Sequence, residues 1–84
     1  MADFKVGTVK HFYDKLGVAI VDVTNIFSVG DTIKFVRGGE DLFEQKVESI
    51  QVEHKKLDSA NSGDVVGLKT ERQVKEGAEI YKVE

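Results

Sequence analysis

The stretch Gly30-Asp31-Thr32-Ile33 is the most informative part of this sequence for its fold. The chain repeats it as Gly63-Asp64-Val65-Val66 and more loosely as Gly77-Ala78-Glu79-Ile80. Glycine adopts the positive φ that a tight turn requires, and aspartate hydrogen-bonds the backbone of such a turn. The β-branched residues that follow favour an extended strand. Each copy therefore predicts a turn that leads into a strand, and together they predict a small all-β fold.

Length and composition predict a single domain covering residues 1–84. A chain of 84 residues supports one modest hydrophobic core. Its 40% hydrophobic and 32% charged residues are typical of a folded protein rather than a disordered one. Cysteine is absent, which excludes disulfides and thiolate metal sites and predicts a reducing, cytoplasmic setting. The longest apolar run is too short for a membrane span, so no membrane contact is expected.

The charge balance argues against broad, nonspecific binding of nucleic acid. The net charge is −3, whereas such binding depends on clustered positive charge that releases counterions from phosphates. The densest basic stretch is His54-Lys55-Lys56, which directly follows Glu53. Its simplest interpretation is a solvated loop, and the alternative is a local contact with nucleic acid.

Glycines divide this proline-free chain into segments of strand length. We expect strands at residues 6–13, 18–23, 32–37, 65–70 and 79–83, with a kink near Gly7-Thr8. Residues 18–23 are apolar on both faces, which predicts a central strand buried on two sides. The expected core consists of Val6, Val9, Val18, Ile20, Val29, Ile33, Phe35, Val47, Ile50, Val66, Leu68, Ile80 and Val83.

Residues 43–57 are ambiguous between helix and strand. One set of residues recurs at spacings of four, three, four and three, which is typical of one helical face: Phe43, Val47, Ile50, His54 and Leu57. As a strand, the same segment changes phase between Val47 and Ile50 and requires a bulge. Periodicity alone favours the helix.

The sequence nominates no catalytic centre. His11 and His54 are the only histidines, and the serines lack a nucleophile motif such as G-x-S-x-G. Glu40, Asp41 and Glu44 lack the spacing of a calcium loop. We therefore expect no enzyme activity, metal or cofactor, and we interpret His11 as a histidine packed at the rim of the fold beside Tyr13.

Several phrases, taken in order, suggest a particular fold. Ser49-Ile50-Gln51 precedes Gly63-Asp64-Val65-Val66-Gly67-Leu68 at a spacing that resembles the second domain of translational GTPases. Elongation factor Tu, the selenocysteine elongation factor and bacterial initiation factor two share this domain. The resemblance implies a closed six-stranded antiparallel barrel and favours strand over helix for residues 43–57. The chain also resembles the C-terminal domain of collagenase-like peptidase relatives, some of which modify RNA.

The resemblance to translation factors implies a noncatalytic binding module that contacts tRNA, the ribosome or a translation protein. No G-x-x-x-x-G-K-[ST] motif is present, so the chain alone is not expected to bind GTP. Gln51 stands where the elongation factor has a glutamate that packs on the terminal adenine of tRNA, and Val65 stands where asparagine is frequent. The implied binding residues are Gln51, Glu53, His54, Lys55, Lys56 and Val65.

Two alternatives to this function remain open. Gln51 could simply end a strand with its amide in water. The chain could instead be a protein-interaction or scaffolding barrel, or an accessory domain of an RNA-modifying or peptidase-like enzyme, without its own nucleic-acid contact.

Overall fold

The computed structural model describes residues 4–53 and 55–83, and this part of the chain contains strands and turns but no helix. The all-β prediction is therefore confirmed. The strands are β1 (Phe4–Tyr13), β2 (Val18–Val23), β3 (Phe27–Ser28), β4 (Thr32–Arg37), β5 (Glu40–Lys46), β6 (Ile50–Val52), β7 (Lys55–Leu57), β8 (Ser59–Ala60), β9 (Val65–Lys69) and β10 (Glu79–Lys82).

The first glycine-aspartate phrase forms a hydrogen-bonded turn immediately before β4. The Asp31 amide donates to the Ser28 carbonyl at 3.1 Å, and the Ser28 amide donates to Asp31 Oδ2 at 2.8 Å. Gly30, between them, has a φ of 95°. Glycine supplies this conformation without steric cost, and the aspartate carboxylate holds the turn closed.

The second phrase repeats this geometry before β9. The Asp64 amide donates to the Asn61 carbonyl at 3.0 Å, the Asn61 amide donates to Asp64 Oδ2 at 2.9 Å, and Gly63 has a φ of 92°. The third phrase keeps the backbone turn, in which the Ala78 amide donates to the Lys75 carbonyl at 3.1 Å. It lacks the aspartate. All three phrases therefore precede strands, as predicted.

Eight strands form one antiparallel sheet in the order β5-β4-β10-β1-β2-β9-β6-β7, while β3 and β8 form a separate pair. This sheet is not closed, so the closed six-stranded barrel is not confirmed. Strand geometry is interrupted at residues 47–49, between β5 and β6. Strand β5 pairs with β4 and β6 pairs with β9, so β5 and β7 lie at opposite ends of the sheet order, and no ladder joins them among the described residues.

The side chain of Gln45 connects β5 to the end of β9, two strands that no ladder joins in the described part of the chain. Gln45 of β5 is only 5% exposed. Its Nε2 donates to the Lys69 carbonyl at 2.9 Å, and its Oε1 accepts from the Glu71 amide at 2.8 Å. The amide thus joins β5 to the end of β9 and satisfies two backbone groups that have no strand partner there.

The described residues at 43–53 and 55–57 contain the end of β5, β6 and β7 and no helix, which confirms the strand interpretation taken from the resemblance. Phe43 pairs with Phe35 in β4, and Ile50 pairs with Leu68 in β9. Val47 and Ile50 are both buried, although they differ in strand phase. The irregular segment at 47–49 resets the phase, and this change imitates the spacing of a helix.

Nine of the thirteen predicted core residues are buried, four are not, and the buried core contains eight further apolar residues. Val18, Ile20 and Val83 are half-buried, and Val29 is exposed. In β2 the alternate residues Ala19, Val21 and Val23 face the core instead. Only one face of this strand is buried, so the prediction of burial on both faces is wrong. The buried apolar residues are Val6, Val9, Ala19, Val21, Val23, Phe27, Ile33, Phe35, Val36, Val47, Ile50, Ala60, Val66, Leu68, Val74, Ala78 and Ile80.

Strand β1 contains two irregularities. One lies between Lys5 and Gly7 against β10, where the kink was expected, and the other lies between Val9 and His11 against β2. The second was not predicted, and it places His11 on the exposed face although Val9 is buried. There His11 Nδ1 lies 2.7 Å from Glu76 Oε2, and the His11 ring packs edge-on against Tyr13.

Within the described residues, the structure contains no helix with the length and apolar character that crossing a membrane requires.

Candidate functional site

The nominated binding residues that the structure describes lie close together at one end of the sheet. Strands β6 and β7 form a hairpin in which Gln51 pairs with Lys56, and Gln51 also pairs with Gly67 of β9. Glu53 occupies the turn of this hairpin with a φ of 50°. Val65 begins β9. Lys55 opens β7, and His54 lies outside the described residues.

Side-chain alternation divides β9 into an inner and an outer face. Val66 and Leu68 are buried, so Val65 and Gly67 face outward. On β2, Ile20 pairs with Gly67 and shares its face. We define the β9 outer face as Val18, Ile20, Gln51, Val65 and Gly67.

Gly67 forms the floor of a groove across this outer face. A Cβ atom built on Gly67 would lie 3.4 Å from Val18 Cγ1, 3.5 Å from the Gln51 carbonyl oxygen and 3.9 Å from Ile20 Cδ1. The missing side chain therefore leaves a depression between the β2 valine and isoleucine and the β6 backbone. The groove has a volume of about 360 Å³, and Val65 and Glu53 also line it.

A second depression continues the groove toward the β6–β7 hairpin. Its volume is about 470 Å³, and it shares Val52, Glu53 and Val65 with the first. Lys55 and Leu57 line its far side. The two depressions make one shallow surface, apolar at its centre and charged at the hairpin.

This surface combines an exposed aliphatic side chain with polar side chains. Val65 is 46% exposed, an unfavourable position for a valine in water. Gln51 and Lys56 are exposed, and neither side chain has a hydrogen bond or ion pair to another described residue. Within residues 4–53 and 55–83, no group of three or more histidine or acidic side chains converges to hold a metal ion.

The prediction from sequence missed Val18, Ile20 and Gly67 as outer-face residues. It assigned Val18 and Ile20 to the core because residues 18–23 are almost entirely apolar. Asp22 was the available signal. It shares their strand phase and is exposed, and a charged residue marks the solvent-facing side of a strand.

Comparison with known proteins identifies the relatives of the chain. The sequence profile described as the peptidase family U32 C-terminal domain matches residues 3–79. An uncharacterized protease of Methanocaldococcus jannaschii is 34% identical over 77 residues, which are 92% of this chain and 19% of that protein. The chain thus spans about a fifth of the length of this curated relative.

Two solved structures share the fold. Both are of the C-terminal domain of a Geobacillus thermoleovorans protein assigned to the U32 peptidases, and both are 27% identical to this chain. The first gives a TM-score of 0.87 over 98% of this chain and 93% of the other chain. The second, a selenomethionine variant, gives 0.83 over 90% and 95%.

These matches correct the identification made from sequence phrases. The identification as a translation elongation factor with a role in protein biosynthesis is wrong, because the matching family and relatives are those of U32 peptidases. Turn phrases of this kind mark strand junctions, so they do not by themselves distinguish one β family from another. The resemblance to collagenase-like peptidase relatives is confirmed. The chain belongs to the peptidase family U32 C-terminal domain family.

Proposed function

We propose that this chain is a noncatalytic accessory module of a U32 peptidase-like protein, and that it docks onto another part of that protein through the β9 outer face. The exposed apolar groove centred on Gly67 carries the proposal. The proposal assigns catalysis to the remainder of such a protein. The absence of cysteine favours a cytoplasmic setting for it.

The shape and polarity of the β9 outer face support a protein contact. Protein interfaces combine an apolar centre with a polar rim. Here Val18, Ile20 and Val65 surround the groove, while Gln51 and Lys56 lie beside it with side chains free to pair across an interface. An inserted apolar side chain would gain about 25 cal/mol for each Å² it removes from water.

The size of the curated relative also supports the proposal. The matching segment is 19% of that protein, so most of its chain lies elsewhere and is available as a docking partner. Binding of tRNA or the ribosome stays a prediction of the translation-factor resemblance and has no support from the relatives.

A chimera tests the docking. The chain replaces the matching segment of the Methanocaldococcus jannaschii protein, and hydrogen exchange measured by mass spectrometry is compared between the chimera and the isolated 84-residue chain. We expect slower exchange at residues 18–23 and 65–69 in the chimera. Val65→Lys should abolish this protection, because it places a charge in the apolar contact.

Ile26→Lys is the matched control, since Ile26 is also an exposed aliphatic residue but lies outside the β9 outer face. This variant should retain the protection. Equal exchange at both segments in the chimera and the isolated chain would contradict the proposed docking. Protection that survives Val65→Lys would contradict the assignment to this face.

A further inference from the structure

Another groove is separate from both depressions described above and shares no lining residue with them. It runs between the first half of β5 and the segment that precedes β10, and it has a volume of about 400 Å³. The residues that matter here are Arg37, Glu40, Leu42, Phe43, Arg72 and Lys75. We call it the β5 groove.

The β5 groove concentrates positive charge in an acidic chain. Arg37 and Arg72 are the only arginines of a protein with a net charge of −3, and both line this groove together with Lys75. Among the described residues, none of the three has a carboxylate within salt-bridge distance. Glu40 is the one acidic residue in the lining.

The Arg72 guanidinium group lies over an aromatic ring. Phe43 stacks on the buried Phe35, with ring centroids 4.7 Å apart. The Arg72 guanidinium carbon lies 5.8 Å from the centre of the Phe43 ring. Stacking on an aromatic face leaves the in-plane N–H groups of arginine available for an incoming carboxylate.

The outer edge of β5 presents backbone hydrogen-bonding groups as well as side chains. Strand β5 is the last strand on its side of the sheet and pairs only with β4. A register shift between Phe35 and Val36 leaves Leu42 without a partner in β4, and its side chain is 40% exposed. Extended peptides bind to such edges by adding a strand, and side-chain pockets select their sequence.

From these features we infer that the β5 groove binds an extended acidic and apolar peptide segment, which adds as a strand along β5. Its carboxylates pair with Arg37 and Arg72, and an apolar side chain lies against Leu42 and Phe43. A nucleic acid fits less well. Glu40 lies in the groove, and the net charge of −3 disfavours approach of a phosphate backbone.

Peptide titration tests the inference. The probe is a blocked heptapeptide of alternating glutamate and valine, added to the isotope-labelled 84-residue chain while amide chemical shifts are recorded. We expect shifts at residues 40–43 and 72–75 that weaken as salt rises from about 20 to about 200 mM. Arg72→Gln and Arg37→Gln should each weaken binding about tenfold, the usual effect of losing one charge-assisted hydrogen bond.

Three controls separate the parts of the inference. Lys15→Gln removes a charge outside the groove and should leave the affinity unchanged. Glu40→Gln should tighten binding about two- to fivefold, because it removes the only like charge in the lining. A peptide methylated at alternate backbone nitrogens cannot form a ladder and should lose binding.

Certain outcomes would overturn the inference. It is wrong if the peptide causes no shifts at millimolar concentration, or if a lysine-valine peptide binds equally well. Equal binding of the methylated peptide would exclude strand addition. If an oligouridylate shifts the same amides at lower concentration than the peptide, the occupant is nucleic acid and the proposed class is wrong.

Discussion

At the scale of single residues, the fold depends on short turns whose geometry is set within four residues. Asp31 and Asp64 each accept a hydrogen bond from the amide three positions earlier, and the glycine before each aspartate has a positive φ. These contacts need no distant partner. The same local chemistry explains why the repeated phrase correctly predicts the starts of β4 and β9.

Replacing Gly63 with alanine tests the backbone requirement. Gly63 has a φ of 92° and nothing within 4 Å of a built Cβ, so a cost would come from backbone conformation rather than a clash. We expect Gly63→Ala to lower the free energy of unfolding by about 1–2 kcal/mol, measured by urea denaturation. Gly63→Asn should cost less, because asparagine tolerates this region better. Unchanged stability in the alanine variant would contradict the explanation.

At the scale of elements, one side chain joins parts of the sheet that no ladder connects. Gln45 bonds the backbone of Lys69 and Glu71. Its neighbours in the chain, residues 47–49, depart from strand geometry and separate β5 from β6. Among the described residues the outer edge of β5 pairs with no other strand, and the β5 groove lies beside the first half of this strand.

Replacing Gln45 with methionine tests this connection. The substitution keeps the size of the side chain but leaves the Glu71 amide and Lys69 carbonyl without their partner, so we expect a loss of about 1–3 kcal/mol. The Glu71 amide should also exchange faster with solvent. Gln73→Met is the control, because Gln73 is exposed and its side chain has no hydrogen bond to another described residue. Equal stability of the two variants would show that the Gln45 hydrogen bonds contribute nothing.

At the scale of the whole molecule, the two grooves are independent surfaces on one core. They share no lining residue, and one is mainly apolar while the other is basic. The core that supports them includes Ile50 and Leu68 beneath the β9 outer face and Phe35 beneath Phe43. A variant in either groove should therefore leave the other surface intact.

A pair of surface variants tests this independence. Val65→Lys should remove the exchange protection in the chimera and leave the affinity for the acidic peptide unchanged, while Arg72→Gln should do the reverse. In the double variant the effects on peptide affinity should add to within about 0.5 kcal/mol, as expected for sites without shared partners. The measurements are hydrogen exchange and peptide titration. Loss of both functions in either single variant would indicate unfolding or coupling and contradict the separation.

Local sequence patterns predicted the turns and strands whose conformation depends on neighbouring residues. The glycine-aspartate turns and the strands at residues 18–23 and 32–37 were predictable, because turn preference and strand propensity act over a few residues. The sequence also brought Gln51, Lys56 and Val65 forward as candidates, and they do lie near one another. Their role in binding stays a prediction.

Long-range packing determines where the sheet stays open and which distant residues come together. For β2 the exposed Asp22 was a local signal that Val18 and Ile20, which share its strand phase, face outward. For Arg37 and Arg72 there was no such signal, and they line one groove because the β4–β5 hairpin packs beside the segment before β10. Such contacts depend on long-range packing, which no local pattern of residues encodes.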